Sequence, residues 1–299
     1  MDIIRINKET TNNKKPEFTY KYITKSGAID AQELLYIKNL HIPPAWTEVN
    51  ITLNPKEKIQ AHGHDIKGRK QVIYAKWFTQ QNKTSKYDKI MRLEPIIQQI
   101  KSRIHTTLAS YNSRTPITNE LQIILILHIM MLCNFRIGND VDTRGKHKAY
   151  GLTTLLWSHV KFGKNALYFE FVGKKGVINK SSCSDPYVFN ILRRMKKLRS
   201  VSDNGTKAHA DKPSQPTIFS VTSTQVNQYL HTYDPDITSK DIRTWMANEL
   251  YMKYFFENAE NETKFEKRQR NALARVATHL HNTPAVCKTS YIFPEFLEI

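Results

Sequence analysis
Between Leu121 and Cys133 the chain is leucine, isoleucine and methionine almost without a break, interrupted by Gln122 and His128. The run is too short for a bilayer, which needs about 20 apolar residues, so it reads as a buried helix. A helix apolar on this many sides must be enclosed by other elements. The chain has 299 residues and is 40% hydrophobic, enough for a packed core in one large domain or two smaller ones.

The pattern differs on the two sides of about residue 82. Residues 19–23, 49–53 and 71–74 alternate or run apolar as short strands do, 31–38 reads as a short helix, and Pro43-Pro44 breaks whatever precedes it. The polar stretch 80–85 reads as a linker. Beyond it, 90–109, 119–135, 186–198, 222–233, 238–258 and 263–280 read as helices, the fourth opening on the capping box Thr222-x-x-Gln225. Residues 166–171 alternate and meet Gly173-Lys174-Lys175-Gly176, the pattern of a β-hairpin, and 201–215 reads as a polar loop. No internal repeat is visible. The expected fold class is α+β, with a small β-rich domain over 1–82 and a larger, mainly helical domain over 83–299 that contains the hairpin.

Forty-five Lys and Arg against 27 Asp and Glu give a net charge of +18, which points to a polyanionic partner, most often nucleic acid. No cationic amphipathic terminal helix argues for a membrane surface. Cys133, Cys183 and Cys287 are odd in number and widely spaced, so neither a disulfide framework nor a zinc motif is expected, and the setting is reducing and intracellular. The start of the sequence has no signal-peptide pattern. The pairs His62/His64 and His279/His281 lack companions that would complete a metal site, so no metal or other cofactor is expected.

Four segments carry groups suited to phosphodiester transfer. That reaction needs an in-line nucleophile, cations against the crowded charge on phosphorus, and a proton for the departing oxygen. Cys133-Asn134-Phe135-Arg136-Ile137-Gly138-Asn139 puts Arg136 where the buried helix ends. A helix-end charge facing carbonyls is the plainer reading of that arginine. The hairpin tip projects Lys174, with Lys175 a competitor. Ser239-Lys240-Asp241-Ile242-Arg243 opens a long helix whose apolar ridge leaves Arg243 half buried. Asn282 through Tyr291 ends with a tyrosine able to form a reversible phosphoester. Arginine suits phosphate because its planar fork donates two hydrogen bonds.

Taken in this order, the motifs resemble those of type IB DNA topoisomerases of the compact poxvirus and bacterial kind. Ile42-Pro43-Pro44-Ala45-Trp46 and the segment Gln60-Ala61-His62-Gly63-His64-Asp65-Ile66-Lys67-Gly68-Arg69-Lys70-Gln71 match that family as well, so the resemblance spans almost the whole chain. It implies the catalytic fold shared with tyrosine recombinases and a C-shaped clamp on double-stranded DNA. It further implies a monomer without obligate protein partner that needs neither ATP nor metal. Tyr291 would attack phosphorus and hold the 3′ end. Arg136 and Arg243 would stabilise the transition state, and Lys174, which follows the glycine as the family pattern requires, would protonate the 5′ oxygen. Asn282 stands where poxvirus enzymes have histidine, so this position should add little pH dependence; His281 beside it reads as structural. Lys67, Arg69, Lys70, Gln71, Tyr74, Lys240 and Lys288 would contact DNA, with Gln71 reaching a base edge. Val72 stands where the family often has tyrosine.

Two other functions are weighed against this one. A tyrosine recombinase uses similar chemistry but typically has histidine three residues before the second arginine, where this chain has Lys240. A non-catalytic basic DNA-binding protein would satisfy the charge and leave Tyr291 idle.

Overall fold
The computed structural model describes residues 2–7, 17–24, 26–139, 143, 148–203, 217–257 and 264–298. The chain divides into two compact units, Met1–Asp88 and Lys89–Ile299.

The first unit is built on an antiparallel sheet. Its strands are β1 (Ile3–Asn7), β2 (Phe18–Tyr22), β3 (Thr47–Ile51), β4 (Ile59–His64) and β5 (Lys70–Tyr74), in spatial order β2-β1-β3-β4-β5. Period-two alternation puts Ile3, Val49, Ile51 and Ala61 in one core with Ile37 of the helix α1 (Ala31–Asn39). Asp30 and Glu33 close α1 with a reciprocal capping box. Arg5 explains the proline motif that follows. Its guanidinium, 7% exposed, donates to the carbonyls of Pro43, Pro44 and Trp46 and lies 4.3 Å from the Phe18 ring centroid.

The second unit is mainly helical. It contains α3 (Asn119–Cys133), α4 (Pro186–Asp203), α5 (Ser223–His231), α6 (Ser239–Glu257), α7 (Phe265–His279) and α8 (Pro284–Ser290). The apolar segment is α3, and Leu121 to Leu127 are all buried. Beside it stands a three-stranded antiparallel sheet, β6 (Val160–Phe162), β7 (Leu167–Val172) and β8 (Ile178–Cys183). Burial along β7 alternates strictly, as the sequence pattern predicts. Thr222 and Gln225 form the expected capping box at α5.

Three expectations need correction. Residues 80–85 are not a linker; they lie inside α2 (Lys76–Ala109), and the division between the units falls within that helix. Their polarity marks an exposed helical stretch, because polar residues without glycine or proline do not break a helix. Residues 201–203, expected to open a polar loop, belong to α4, which runs to Asp203; 204–215 lie outside the described residues, as do Asn258 and Thr263 at predicted helix ends. Arg243 is fully buried rather than half buried, at 4% exposed. β1, β4 and α8 were not read from the sequence as regular elements.

The segment after α3 is pinned by backbone contacts. Asn134 turns left-handed at φ 54°, a conformation asparagine tolerates better than most residues, and its N–H bonds the Met130 carbonyl at 2.8 Å. The Leu152 N–H then donates to the Arg136 carbonyl at 2.9 Å and the Thr153 N–H to Ile137 at 2.8 Å. Gly151 makes this approach fit: a Cβ there would sit 2.4 Å from Gly138 N and 2.7 Å from the Arg136 carbonyl oxygen. Both obstacles are backbone, so neither can rotate away. Gly151→Ala should therefore destabilise the second unit by about 1–3 kcal/mol, read as a lower thermal midpoint. An unchanged midpoint would show that the backbone there yields freely.

Candidate active site
The segments of Arg136, of Lys174 and of Asn282 to Tyr291 meet around one buried ring. Phe135 is 0% exposed. It packs edge-on against Phe169 and Phe171 of β7, with centroids 5.6 and 4.9 Å away, and stacks on His281 at 5.3 Å. Because Phe135 points into the core, the next residue, Arg136, emerges partly exposed. Its Nη2 donates to Asn282 Oδ1 at 2.8 Å, so the side chain is bound to the segment before α8 rather than to helix-end carbonyls.

The hairpin between β7 and β8 turns through Gly173, Lys174, Lys175 and Gly176, with Lys175 at φ 62°. Gly173 faces Asn179 so closely that a Cβ would be 2.2 Å from Asn179 Nδ2. This sharp turn separates the two lysines: Lys174 lines the pocket, while Lys175 is not among the lining residues. The pocket, about 380 Å³, is also lined by Arg136, Tyr150, Ser239, Lys240, Arg243 and Tyr291.

Arg243 comes from the first turns of α6. Its Nη2 donates to the Leu280 carbonyl, while Nε and Nη1 are buried without a well-formed hydrogen bond among the described residues. Burial pulls this guanidinium below its ordinary value, yet an arginine remains charged. Its central carbon lies 5.6 Å from the Tyr291 ring centroid. Asn282 Nδ2 is likewise buried without a well-formed partner. These donors gather around Tyr291, and an anion in the pocket would give them a stronger partner.

Tyr291 follows α8 directly, and its N–H bonds the Cys287 carbonyl at 3.0 Å. Burial by itself raises a phenol. Here the charge and hydrogen bonding of Arg243, then Arg136 and Asn282, outweigh it, and Tyr291 titrates below its ordinary value. His281, at φ 49°, is pushed down to about 4, first by burial and then by Arg243. It is therefore neutral near pH 7.

Sequence reasoning missed Asn248, which is 4% exposed on α6. Its Nδ2 donates to the Tyr291 carbonyl at 2.8 Å, and its Oδ1 accepts the Phe293 N–H at 2.8 Å. One side chain thus holds the backbone on both sides of Ile292. The available signal was an asparagine, a poor helix former, in the middle of a helix with an apolar ridge.

Of the remaining predicted residues, Lys240 is among those lining this pocket. Lys288 is exposed on α8, three residues before Tyr291. Lys67, Arg69, Lys70, Gln71 and Tyr74 belong to the first unit, on β5 and the turn before it. They do not share one face. Lys70, Val72 and Tyr74 alternate with Gln71 and Ile73, and Ile73 packs on the core. Asp65 organises the turn. It accepts from the Lys67 and Arg69 N–H groups at 2.9 and 3.0 Å, from Arg69 Nε at 2.9 Å and from Gln71 Nε2 at 3.0 Å. The Arg69 hydrogen bond is the main reason the Asp65 carboxyl titrates well below the usual range. The Gln71 amide nitrogen is thus already engaged. Among the described residues, no group of three or more His, Cys, Asp or Glu is arranged to hold a metal, and no helix is long and apolar enough to cross a membrane.

Comparison with known proteins agrees over most of the chain. The family described as "Eukaryotic DNA topoisomerase I, catalytic core" matches residues 75–296, and "Bacterial DNA topoisomerase IB, N-terminal domain" matches 17–65. DNA topoisomerase 1B of Acanthamoeba polyphaga mimivirus is 29% identical over 295 residues, which is 95% of this chain and 84% of the relative. DNA topoisomerase I of Monkeypox virus and DNA topoisomerase 1B of Vaccinia virus are each 22% identical over 272 residues, covering 88% of this chain and 80% of theirs. Since the catalytic-core match alone takes in well over half of the sequence, this chain belongs to the DNA topoisomerase I family, type IB.

Proposed function
We propose that this chain relaxes supercoiled duplex DNA of either sign by cleaving and resealing one strand through a phosphoester on Tyr291, inside the cell. The catalytic unit would then carry the fold common to type IB topoisomerases and tyrosine recombinases. One observation supports this most: Tyr291 lines the same pocket as Arg136, Lys174 and Arg243, and the charge and hydrogen bonds of Arg243 and Asn282 hold its phenol below the ordinary value despite its burial.

Each step has a group suited to it. A lowered phenol gives up its proton more readily, so Tyr291 reaches the nucleophilic phenolate at lower pH. Its oxygen forms a bond to phosphorus while the bond to the 5′ oxygen breaks. Arg136, Arg243 and Asn282 meet the charge on the non-bridging oxygens, which is greatest in the transition state. Lys174 delivers a proton to the departing 5′ oxygen and takes it back on resealing. The hydroxyl end can rotate in between, and no energy source is required because one phosphoester replaces another. The net charge of +18 supports binding to the DNA backbone.

Tyr291→Phe should bind DNA like the wild type, yet neither relax a plasmid nor form a covalent adduct. The assay is negatively supercoiled plasmid in EDTA without ATP, followed by denaturation. Relaxation by this variant would mean that another nucleophile acts, and binding without relaxation by the wild type would leave a non-catalytic DNA-binding protein.

Lys174→Ala should slow cleavage strongly on an ordinary phosphodiester and little on one with a 5′-thiolate leaving group, which needs no proton. Equal slowing on both substrates would count against its acid role.

Arg243→Ala should raise the cleavage barrier by about 3–4 kcal/mol, as loss of a strong oxyanion donor does. It should also shift the rising limb of the pH–rate profile upward, because the cation that lowers the Tyr291 phenol is gone. A loss under about tenfold would mean that another group carries the charge.

A further inference from the structure
Asp241 lies two residues before Arg243 on α6 and is 6% exposed. Two residues turn an α-helix by about 200°, so Asp241 leaves the helix on the side away from the arginine. Its Oδ2 accepts from the Thr238 N–H at 2.9 Å and the Thr238 hydroxyl at 2.6 Å, which closes the first turn of α6 on itself. The same oxygen accepts from Lys89 Nζ of α2 at 2.8 Å, which ties that turn to a different helix. Other cations of α2 also reach this region. Arg92 pairs with Asp234 and Asp236 at 2.9 and 2.8 Å, and Lys101 with Glu249 at 3.2 Å. Arg92 is 53% exposed and Glu249 48%, so water and salt weaken those pairs. The Asp241 side chain is 9% exposed and that of Lys89 30%, so removing the ammonium strands a buried carboxylate.

We propose that Lys89 is a positioning residue for strand cleavage: through Asp241 it fixes the first turn of α6, and so places Arg243 and Lys240 at the pocket. The proposal rests on the assignment of Arg243 as a transition-state donor. Arg243 leaves α6 about half a turn beyond the anchored carboxylate, and its far end is held by the Leu280 carbonyl and by Tyr291. Its height at the pocket therefore follows the position of that first turn. Misplacing a reacting or stabilising group by about 1 Å can cost about 10²-fold in rate.

The test measures single-turnover cleavage at saturating DNA for K89M, K89R, R243A and K89M/R243A. DNA affinity is measured for the same Lys89 variants in a Tyr291→Phe background, and thermal unfolding for all. K89M should cleave about tenfold or more slowly with nearly unchanged affinity and folding, and K89R should recover most of the rate. The double variant should cleave at nearly the R243A rate, because the transition-state donor that Lys89 positions is already gone. D241N keeps the shape and removes the charge, and serves the same comparison should K89M fail to fold. A K89M rate near wild type, a loss confined to affinity, or fully multiplicative losses in the double variant would each overturn the proposal. R243A cleaving at a normal rate would remove the catalytic reading and this proposal together, whereas slow R243A with normal K89M would remove this proposal alone.

Discussion
Arg243 carries a full positive charge into a place 4% exposed, where no carboxylate among the described residues meets it. Proteins normally pair such a charge or keep it in water, since burying an ion alone is strongly unfavourable. Here the mismatch is spread over neighbours. Leu280 supplies one carbonyl, the phenol of Tyr291 is drawn towards its anion, and Arg136 is held back by Asn282 rather than by an acid. The pocket is thus left with an excess of positive charge that a phosphate would neutralise. Donors fixed before the reaction need no reorganisation during it, which is where electrostatic catalysis gains most.

Such an arrangement requires rigid surroundings, and apolar packing provides them. Phe135 belongs to the loop after α3 but spends its ring on β7 and on His281. It thereby joins the Arg136 loop, the Lys174 hairpin and the segment leading to Tyr291 around one point. Asn248 adds polar fixation where apolar contact cannot set a backbone, bonding to Tyr291 and Phe293 from the middle of α6. The polar work and the apolar work are divided between residues a few positions apart in sequence. Disturbing either should move the site without touching its chemistry.

The helices of the second unit were legible because their apolar residues recur at helical spacing, and β7 because its alternation is strict. The residues brought to the pocket, Arg136, Lys174, Lys240, Arg243 and Tyr291, were legible as chemistry placed at the ends of elements. What stayed hidden depends on long-range partners. Residues 80–85 look like a linker when read locally, since polarity alone does not distinguish a loop from an exposed helix. Arg5 gives no local sign that it will bind three carbonyls some forty residues away. The burial of Arg243 depends on α7 and the segment after it closing over α6, which helical periodicity within α6 cannot reveal. The division of β5 into two faces follows from the pleat, yet a list of DNA-facing residues drawn from a motif ignores it.

The neutral groups around Tyr291 complete the electrostatic logic. His281 is held neutral by burial and by the cations beside it, and Asn282 has no charge to gain. Neither therefore changes the charge of the pocket across the range in which proteins ordinarily work. The guanidinium groups of Arg136 and Arg243 are charged throughout that range. The arginines and the neutral groups therefore keep the potential on the nucleophile steady, and the protons that move near the reacting bond are those of Tyr291 and of the acid, Lys174. A site built this way uses histidine for shape and arginine for charge. The identity of residue 282 then matters for the hydrogen bond it donates, and asparagine meets that need without adding a second proton equilibrium.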